Sequence, residues 1–319
     1  MSPGRPPDRP PALPGGAAGW PAPAKLNLFL HITGRRADGY HTLETVFQFL
    51  DWCDLIHLCP TGDGQIRRLS ALPGVEPEAD LVVRAARALQ AHTGCGLGVE
   101  IAVEKRLPLG GGIGGGSSDA ATVLAALNVL WGLGLPLADL MGIGVRLGAD
   151  VPIFLFGQAA WATGIGEELV PVAPPTPWYV VAKPACAIST REIFTHPDLP
   201  RDTPPARAAD FAADLAADLA AADRDGSRAA NAGGGGAGRW RNDCEALVRR
   251  LYPEVAVALD WLGPGARLTG TGACIFRPYA SEAAAREKVA SAPPGLLAHT
   301  ARARNRSPLL DRLATANAE

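Results

Sequence analysis

The sequence lacks the features that mark several classes of protein. Its six cysteines form no Cys-x-x-Cys pair, and its six histidines show no zinc-ligand spacing to one another or to a cysteine pair. This pattern predicts free thiols in a reducing compartment and no structural metal. With 30 basic and 32 acidic side chains the formal charge is only -2, so neither nucleic acid nor an anionic membrane is expected as a partner.

Long hydrophobic runs are also missing. The apolar stretch from Val151 to Phe156 is far shorter than the roughly 20 residues that span a bilayer. Residues 1–22 are crowded with Pro and Gly and contain no apolar core of the kind that a secretory signal needs. We therefore expect these residues to form a disordered N-terminal extension and the protein to be cytoplasmic.

The chain is long enough for two domains, with 319 residues of which 47% are hydrophobic. Prolines at 174, 175 and 177 precede a hydrophobic segment that begins at Trp178, and this predicts a boundary between domains at 23–174 and 175–319. From about 204 to 239 the composition falls to Ala, Asp, Arg and Gly, which predicts a low-complexity insertion in the second domain.

A first strand is predicted just after Pro23, where apolar residues alternate as far as Ile32. Because side chains alternate between the faces of a strand, Lys25 and Asn27 share one face. The other predicted elements are extended stretches at 45–50 and 54–58, helices that begin at Asp80 and Pro136, and strands at 153–156 and 159–162.

The most informative segment is the glycine-rich run from Pro108 to Asp119, which lies between a predicted strand and an amphipathic helix. Glycine lets backbone N–H groups point inward, and the helix adds its positive N-terminal end, so the run is typical of a phosphate cradle. A flexible linker is the alternative. Gly233 to Gly236 is an example of that kind, because no strand precedes it and it lies in low-complexity sequence.

Two common phosphate-binding motifs fit this loop poorly. No Lys-Ser or Lys-Thr follows the last glycine, which excludes a Walker-type loop. The spacing of Gly110, Gly112 and Gly115 matches the dinucleotide fingerprint formally, but the next helix leads to another helix at Pro136 and not to a strand ending in an acidic residue.

The loop from Pro108 to Ala120 resembles the second signature of the GHMP kinase superfamily, which includes galacto-, homoserine, mevalonate and phosphomevalonate kinases. Three further segments resemble the branch whose acceptor is 4-diphosphocytidyl-2-C-methyl-D-erythritol: Pro23 to Leu28, Arg36 to His41, and Leu268 to Cys274. A homoserine- or mevalonate-type kinase is the alternative, and the Asp38-Gly39-Tyr40-His41 segment argues against it.

The resemblance implies an α+β, two-domain GHMP kinase fold. Its N-terminal, ATP-binding domain is of the ribosomal S5 domain-2 type, its C-terminal, substrate-side domain is ferredoxin-like, and the active site lies in the cleft between them. The implied activity is phosphorylation of a small-molecule alcohol, the 2-hydroxyl of the methylerythritol compound, with ATP and Mg²⁺, on a route to isoprenoid precursors. We expect a monomer or a weak homodimer with no nucleic-acid or membrane partner.

The resemblance also implies roles for individual residues. Asp150 matches the base and Lys25 the lysine that orients it, although an unassigned Asp here could merely cap a helix and a strand-edge Lys is usually solvated. Ser117 is a possible Mg²⁺ contact, and Thr195 stands where the family often has a basic residue. The implied nucleotide-binding residues are Pro108, Leu109, Gly110, Gly111, Gly112, Ile113, Gly114, Gly115, Gly116, Ser117 and Ser118. The implied acceptor-binding residues are Asn27, Tyr40, His41, Thr190, Phe194, Gly270, Thr271 and Gly272.

Overall fold

The computed structural model describes residues 19–37, 39–69, 75–76, 78–211, 213–214 and 238–316. Most of the predicted N-terminal extension, residues 1–18, lies outside this part of the chain, as do Asp38 and residues 215–237 of the predicted insertion. Residues 20–22, which we assigned to the extension, belong to the first strand.

The first half of the molecule is built on two long antiparallel strands. Strand β1 (Trp20–Arg35) pairs along its length with β2 (His41–Thr61), and Lys25 lies opposite Phe49. The two extended stretches predicted at 45–50 and 54–58 are therefore one continuous strand. The remaining strands of this half are β3 (Ile66–Arg68), β4 (Gly98–Glu104), β5 (Ala160–Thr163) and β6 (Glu168–Pro171).

The second half carries its own antiparallel strands, which are β7 (Trp178–Lys183), β8 (Arg267–Leu268), β9 (Ile275–Tyr279) and β10 (Leu297–Arg304). Strand β10 pairs with β7 and, at Ala303 and Arg304, with β2. Among the described residues one sheet of ten strands therefore runs through both halves.

Helices cover this sheet and close its hydrophobic cores. They are α1 (Leu81–Thr93), α2 (Gly115–Leu130), α3 (Leu137–Leu147), α4 (Val151–Phe156), α5 (Thr190–Thr195), α6 (Glu245–Leu251), α7 (Pro253–Leu262), α8 (Glu282–Ala290) and α9 (Pro308–Ala316). Asp80 caps α1 as predicted, because its carboxylate accepts a hydrogen bond from the Val82 amide. None of the described helices is both long enough and apolar enough to cross a membrane.

The strand predicted at 153–156 is wrong, because these residues are the last four of the six in helix α4. A six-residue apolar run has too little periodicity to separate a buried strand from a buried helix. Pro152 in the first turn and Gly157, with φ 68°, after the last turn are typical of a short helix. Asp150 is consequently the residue immediately before a helix.

The edges of the predicted insertion pack into the core. Residues 208–211 are helical, and the buried Phe211 ring lies 5.2 Å from Phe29 of β1 and 5.0 Å from Trp240. The Trp240 indole N–H donates to Asp214 at 2.8 Å. The residues on both sides of 215–237 therefore contribute to the packing around β1.

Candidate active site

A buried lysine and a half-exposed carboxylate meet in a cleft between β1 and α4. Lys25 Nζ lies 3.3 Å from Asp150 Oδ2, and the two side chains are 3% and 38% exposed. Although Asp150 precedes α4, its side chain caps no backbone amide of that helix. The Asp150 carboxylate is therefore held by a buried ammonium on one side and is open to the cavity on the other.

The position of the lysine is fixed by hydrogen bonds among side chains of β1 and β2. Lys25 Nζ donates to Asn27 Oδ1 at 2.6 Å, and Asn27 Nδ2 donates to Thr45 Oγ1 at 3.1 Å. Thr45 donates in turn to the carbonyl of Phe29 at 2.5 Å. This chain orients the Asn27 amide with its oxygen towards the ammonium, so the buried charge is partnered twice.

The glycine-rich loop is clamped between β1 and the turn after β8. The Lys25 amide donates to the carbonyl of Ile113, and the Cys274 amide donates to the carbonyl of Gly111, both at 3.0 Å. Gly112 has a φ of 72°, and a Cβ there would lie 2.7 Å from the carbonyl oxygen of Thr269. Glycine is therefore required at this position by both its dihedral angle and its surroundings.

Helix α2 starts at the end of this loop, so the unpaired backbone amides of its first turn lie beside the loop. Gly114, with a φ of 76°, is the N-cap, and a Cβ there would lie 2.6 Å from the Phe154 ring. Of the predicted nucleotide-binding residues, Gly112 and Ser117 line the same cavity as Lys25 and Asp150.

A buried charge cluster, which sequence reasoning missed, anchors both the loop and α2. Lys105 Nζ bonds to Asp54 and, at 2.9 Å, to Asp119 of α2. Asp54 also accepts from the amides of Arg106 at 2.6 Å and Leu107 at 2.8 Å, just before the loop. Burial, with the nearby Asp54 charge also contributing, raises the pKa of Asp119 to about 7.

Two contiguous cavities make up the cleft. The smaller, about 250 Å³, is lined by Lys25, Asp150 and three of the predicted acceptor-binding residues, Asn27, Gly270 and Thr271. The larger, about 730 Å³, is lined by the predicted Tyr40 and His41. Thr190 and Phe194 line both cavities, whereas Gly272 lines neither.

The wall of the larger cavity combines the start of strand β2 with the short helix α5. His41, at the start of β2, stacks on Phe194 of α5 with ring centroids 5.3 Å apart, and Tyr40 is 60% exposed. Thr190 and Thr271 approach within 3.0 Å through their hydroxyl oxygens. Burial, together with the charges of Arg201 and Arg35, lowers the pKa of His41, which favours the neutral imidazole.

Two cations near this wall were not predicted. Arg191 lines the larger cavity one helical turn before Thr195, and the Thr195 hydroxyl donates to its carbonyl at 2.8 Å. Arg201, after α5, donates its Nε proton to His41 Nε2 at 2.9 Å. No local sequence pattern distinguishes these arginines from surface ones, since both are in place only once α5 and the segment after it have folded.

Comparison with known families agrees with this architecture. Residues 80–158 match the model of the GHMP kinases N terminal domain, and residues 219–293 match that of the GHMP kinases C terminal. Fold and cleft together therefore define a GHMP kinase, which confirms the expected fold class.

Individual relatives narrow the family further. The 4-diphosphocytidyl-2-C-methyl-D-erythritol kinase of Nitrosococcus oceani is 49% identical over 294 residues, covering 92% of this chain and 96% of the relative. That of Chromohalobacter salexigens is 52% identical over 296 residues, covering 92% and 93%. The chain belongs to the family of 4-diphosphocytidyl-2-C-methyl-D-erythritol kinases.

Solved structures place the fold in the same group. A crystal structure of 4-(cytidine 5'-diphospho)-2C-methyl-D-erythritol kinase superposes with a TM-score of 0.73 at 31% identity, covering 89% of this chain and 98% of that one. The mevalonate kinase of Methanococcus jannaschii reaches 0.61 at 14% identity over 92% of this chain and 100% of that one. At that identity the likeness extends to the fold alone.

Proposed function

We propose that this protein transfers the γ-phosphoryl group of ATP to the 2-hydroxyl of 4-diphosphocytidyl-2-C-methyl-D-erythritol, giving the 2-phosphate and ADP on the methylerythritol phosphate route to isoprenoid precursors. The observation that carries the proposal is the Lys25–Asp150 pair at 3.3 Å, in a cavity continuous with an aromatic-walled pocket of about 730 Å³. Its relatives at about half identity carry the name of that activity.

The chemistry needs a group that takes the hydroxyl proton as the new O–P bond forms and the bond to the β-phosphate bridging oxygen breaks. Asp150 supplies it, since one side of its carboxylate is open to the cavity. Lys25 orients the carboxylate and adds positive charge beside the transferring group. Asn27 holds the ammonium in place.

The loop from Pro108 to Ser118 binds the triphosphate of ATP through its backbone amides and the N-terminus of α2. Ser117 and Asp150 both line the smaller cavity and offer hard oxygen atoms, which suit Mg²⁺. These two residues would hold the ion, which would supply charge neutralisation for the phosphates.

The acceptor occupies the larger cavity, with its cytosine between Tyr40 and Phe194 and its edge towards His41. Thr190, Gly270 and Thr271 line the passage to Asp150 and contact the sugar-phosphate part. Because Thr195 carries no charge, Arg191 supplies the cation for the acceptor diphosphate, since it lines the same cavity one turn earlier.

A coupled assay of ADP release tests the proposal, with 4-diphosphocytidyl-2-C-methyl-D-erythritol, homoserine and mevalonate supplied side by side. We expect turnover with the first compound alone. Turnover with homoserine or mevalonate, and none with the cytidine compound, would assign the chain to another branch of the superfamily. The Arg191→Gln variant should raise the KM for the cytidine acceptor and leave that for ATP unchanged.

A further inference from the structure

Arg201 ties together the two walls of the larger cavity. Its Nε donates to His41 Nε2 at 2.9 Å, and its terminal nitrogens donate to the carbonyls of Phe194 at 3.1 Å and His196 at 2.7 Å. A further bond reaches the carbonyl of Leu199 at 3.0 Å. Within the described part of the chain no carboxylate pairs with this guanidinium. Its hydrogen bonds therefore serve to join His41 to the carbonyls at and after α5.

The bond to His41 has a consequence for the position of a proton. A guanidinium has only donors, so the imidazole nitrogen that meets it must be the unprotonated acceptor. In the neutral ring the single proton then resides on the other nitrogen, Nδ1. Among the described residues no side chain or backbone group hydrogen-bonds this Nδ1, and His41 lines the larger cavity.

We propose that Arg201 is a positioning residue for acceptor choice, which fixes His41 as the Nδ1–H tautomer so that this ring presents a hydrogen-bond donor to the base. The proposal rests on the proposed function, in which the acceptor carries a cytosine. It adds Arg201, which does not line the cavity, as a residue that determines which base His41 can bind.

The tautomer matters because cytosine and uracil differ in the group at ring position 3. Cytosine N3 carries a lone pair and accepts a hydrogen bond, whereas uracil N3 carries a hydrogen atom and donates one. A fixed Nδ1–H donor suits the first and opposes the second. A ring free to exchange tautomers, as in solution, could meet either base, so releasing His41 should relax the preference.

The experiment combines spectroscopy with acceptor kinetics. Long-range ¹H–¹⁵N NMR of the histidine rings identifies the His41 tautomer, with His41→Gln used to assign its signals. Cytidine and uridine forms of the acceptor are compared in the wild-type enzyme, Arg201→Lys and Arg201→Met. Arg250→Gln is the matched control. Arg250 is an exposed cation that pairs with Asp198, between α5 and Arg201, and it makes no hydrogen bond to His41.

We expect the Nδ1–H tautomer in the wild type and in Arg250→Gln. In Arg201→Met we expect a mixed or Nε2–H ring and a cytidine-over-uridine preference lower by about tenfold, the equivalent of one hydrogen bond. Arg201→Lys, whose ammonium also has only donors, should keep more of the Nδ1–H tautomer and more of the preference than Arg201→Met. The KM for ATP should stay unchanged.

A wild-type His41 that is protonated on Nε2 would overturn the proposal even if both Arg201 variants failed to fold. So would a changed tautomer with an unchanged cytidine preference. Failure of the proposed function is a separate result, because the wild-type enzyme would then release no ADP with the cytidine acceptor, whatever the state of its histidine.

Discussion

The two ends of the cleft are built in different ways. At the smaller cavity, which is the phosphoryl end in the proposed function, Lys25 is a buried strand residue and the glycine loop is bonded to backbone on both sides. At the larger cavity, which is the proposed acceptor end, Tyr40 follows a turn and Phe194 lies on a six-residue helix. In the proposed function, reaction chemistry therefore rests on a closely bonded part of the fold, while acceptor choice rests on a turn and a short helix that can vary without disturbing it.

The largest expected effect is at the phosphoryl end. Asp150→Asn keeps the size of the side chain but removes the proton acceptor, so turnover should fall on the order of 10²–10⁴-fold, as expected for loss of a positioned base. Lys25→Met should be similarly damaging. Steady-state kinetics and nucleotide titration provide the measurement, and ATP affinity should stay near that of the wild type. Unchanged turnover in either variant would remove that residue from the mechanism.

The glycine loop offers an internally matched pair. Gly112→Ala places a Cβ 2.7 Å from a backbone oxygen, whereas at Gly110, with a similar φ of 64°, a Cβ meets nothing within 4 Å. Both changes strain the backbone, but only the first must displace the loop. Because a misplacement of about 1 Å can cost on the order of 10²-fold, we expect kcat/KM for ATP to fall that far in Gly112→Ala and much less in Gly110→Ala. Equal losses would show that loop position is unimportant.

At the acceptor end the expected effect is smaller and selective. Tyr40→Ala removes a stacking face worth roughly 1–3 kcal/mol, so kcat/KM for the acceptor should drop on the order of ten- to a hundredfold while the KM for ATP hardly changes. Tyr40→Phe keeps the ring and should behave like the wild type. If Tyr40→Ala instead raises the KM for ATP and leaves that for the acceptor unchanged, ATP and not the acceptor binds in the larger cavity.

The smallest expected effect concerns Asp119, whose ion pair with Lys105 anchors helix α2 beside the glycine loop. Because burial raises the pKa of Asp119 to about 7, the folded protein keeps a proton that the unfolded chain has lost above about pH 4. This group therefore stabilises the fold at low pH, and its contribution is lost as the pH rises through about 7.

The Asp119→Asn variant does not titrate at this position, and Lys105 remains to neutralise Asp54. Its free energy of unfolding should exceed that of the wild type by on the order of 1 kcal/mol at pH 8, with a smaller difference at pH 5. Urea denaturation at the two pH values measures this. A variant that is less stable than the wild type at pH 8 would mean that the Lys105–Asp119 ion pair outweighs the cost of burying the second carboxylate.

The features predicted correctly from the sequence are those that neighbouring residues determine. The alternation around Lys25 predicted β1, and glycines between a strand and a helix predicted the loop. It failed at 153–156, where the apolar run is too short to have a period. It also missed Arg201, whose contacts with His41 and with carbonyls after α5 exist only in the folded chain. The site residues whose roles came from the resemblance remain predictions for the experiments above.

The pairing of β2 with β10 has a thermodynamic consequence. Opening the cleft as two rigid halves would break the ladder that joins Leu50 and Phe49 to Ala303 and Arg304, so wide hinge motion is disfavoured. The ligands consequently enter a preorganised site and bind without a large loss of main-chain entropy. The conformational entropy that is lost on binding then comes mainly from Tyr40 and its neighbours. Calorimetry should therefore find the main entropic cost in acceptor binding and little in nucleotide binding.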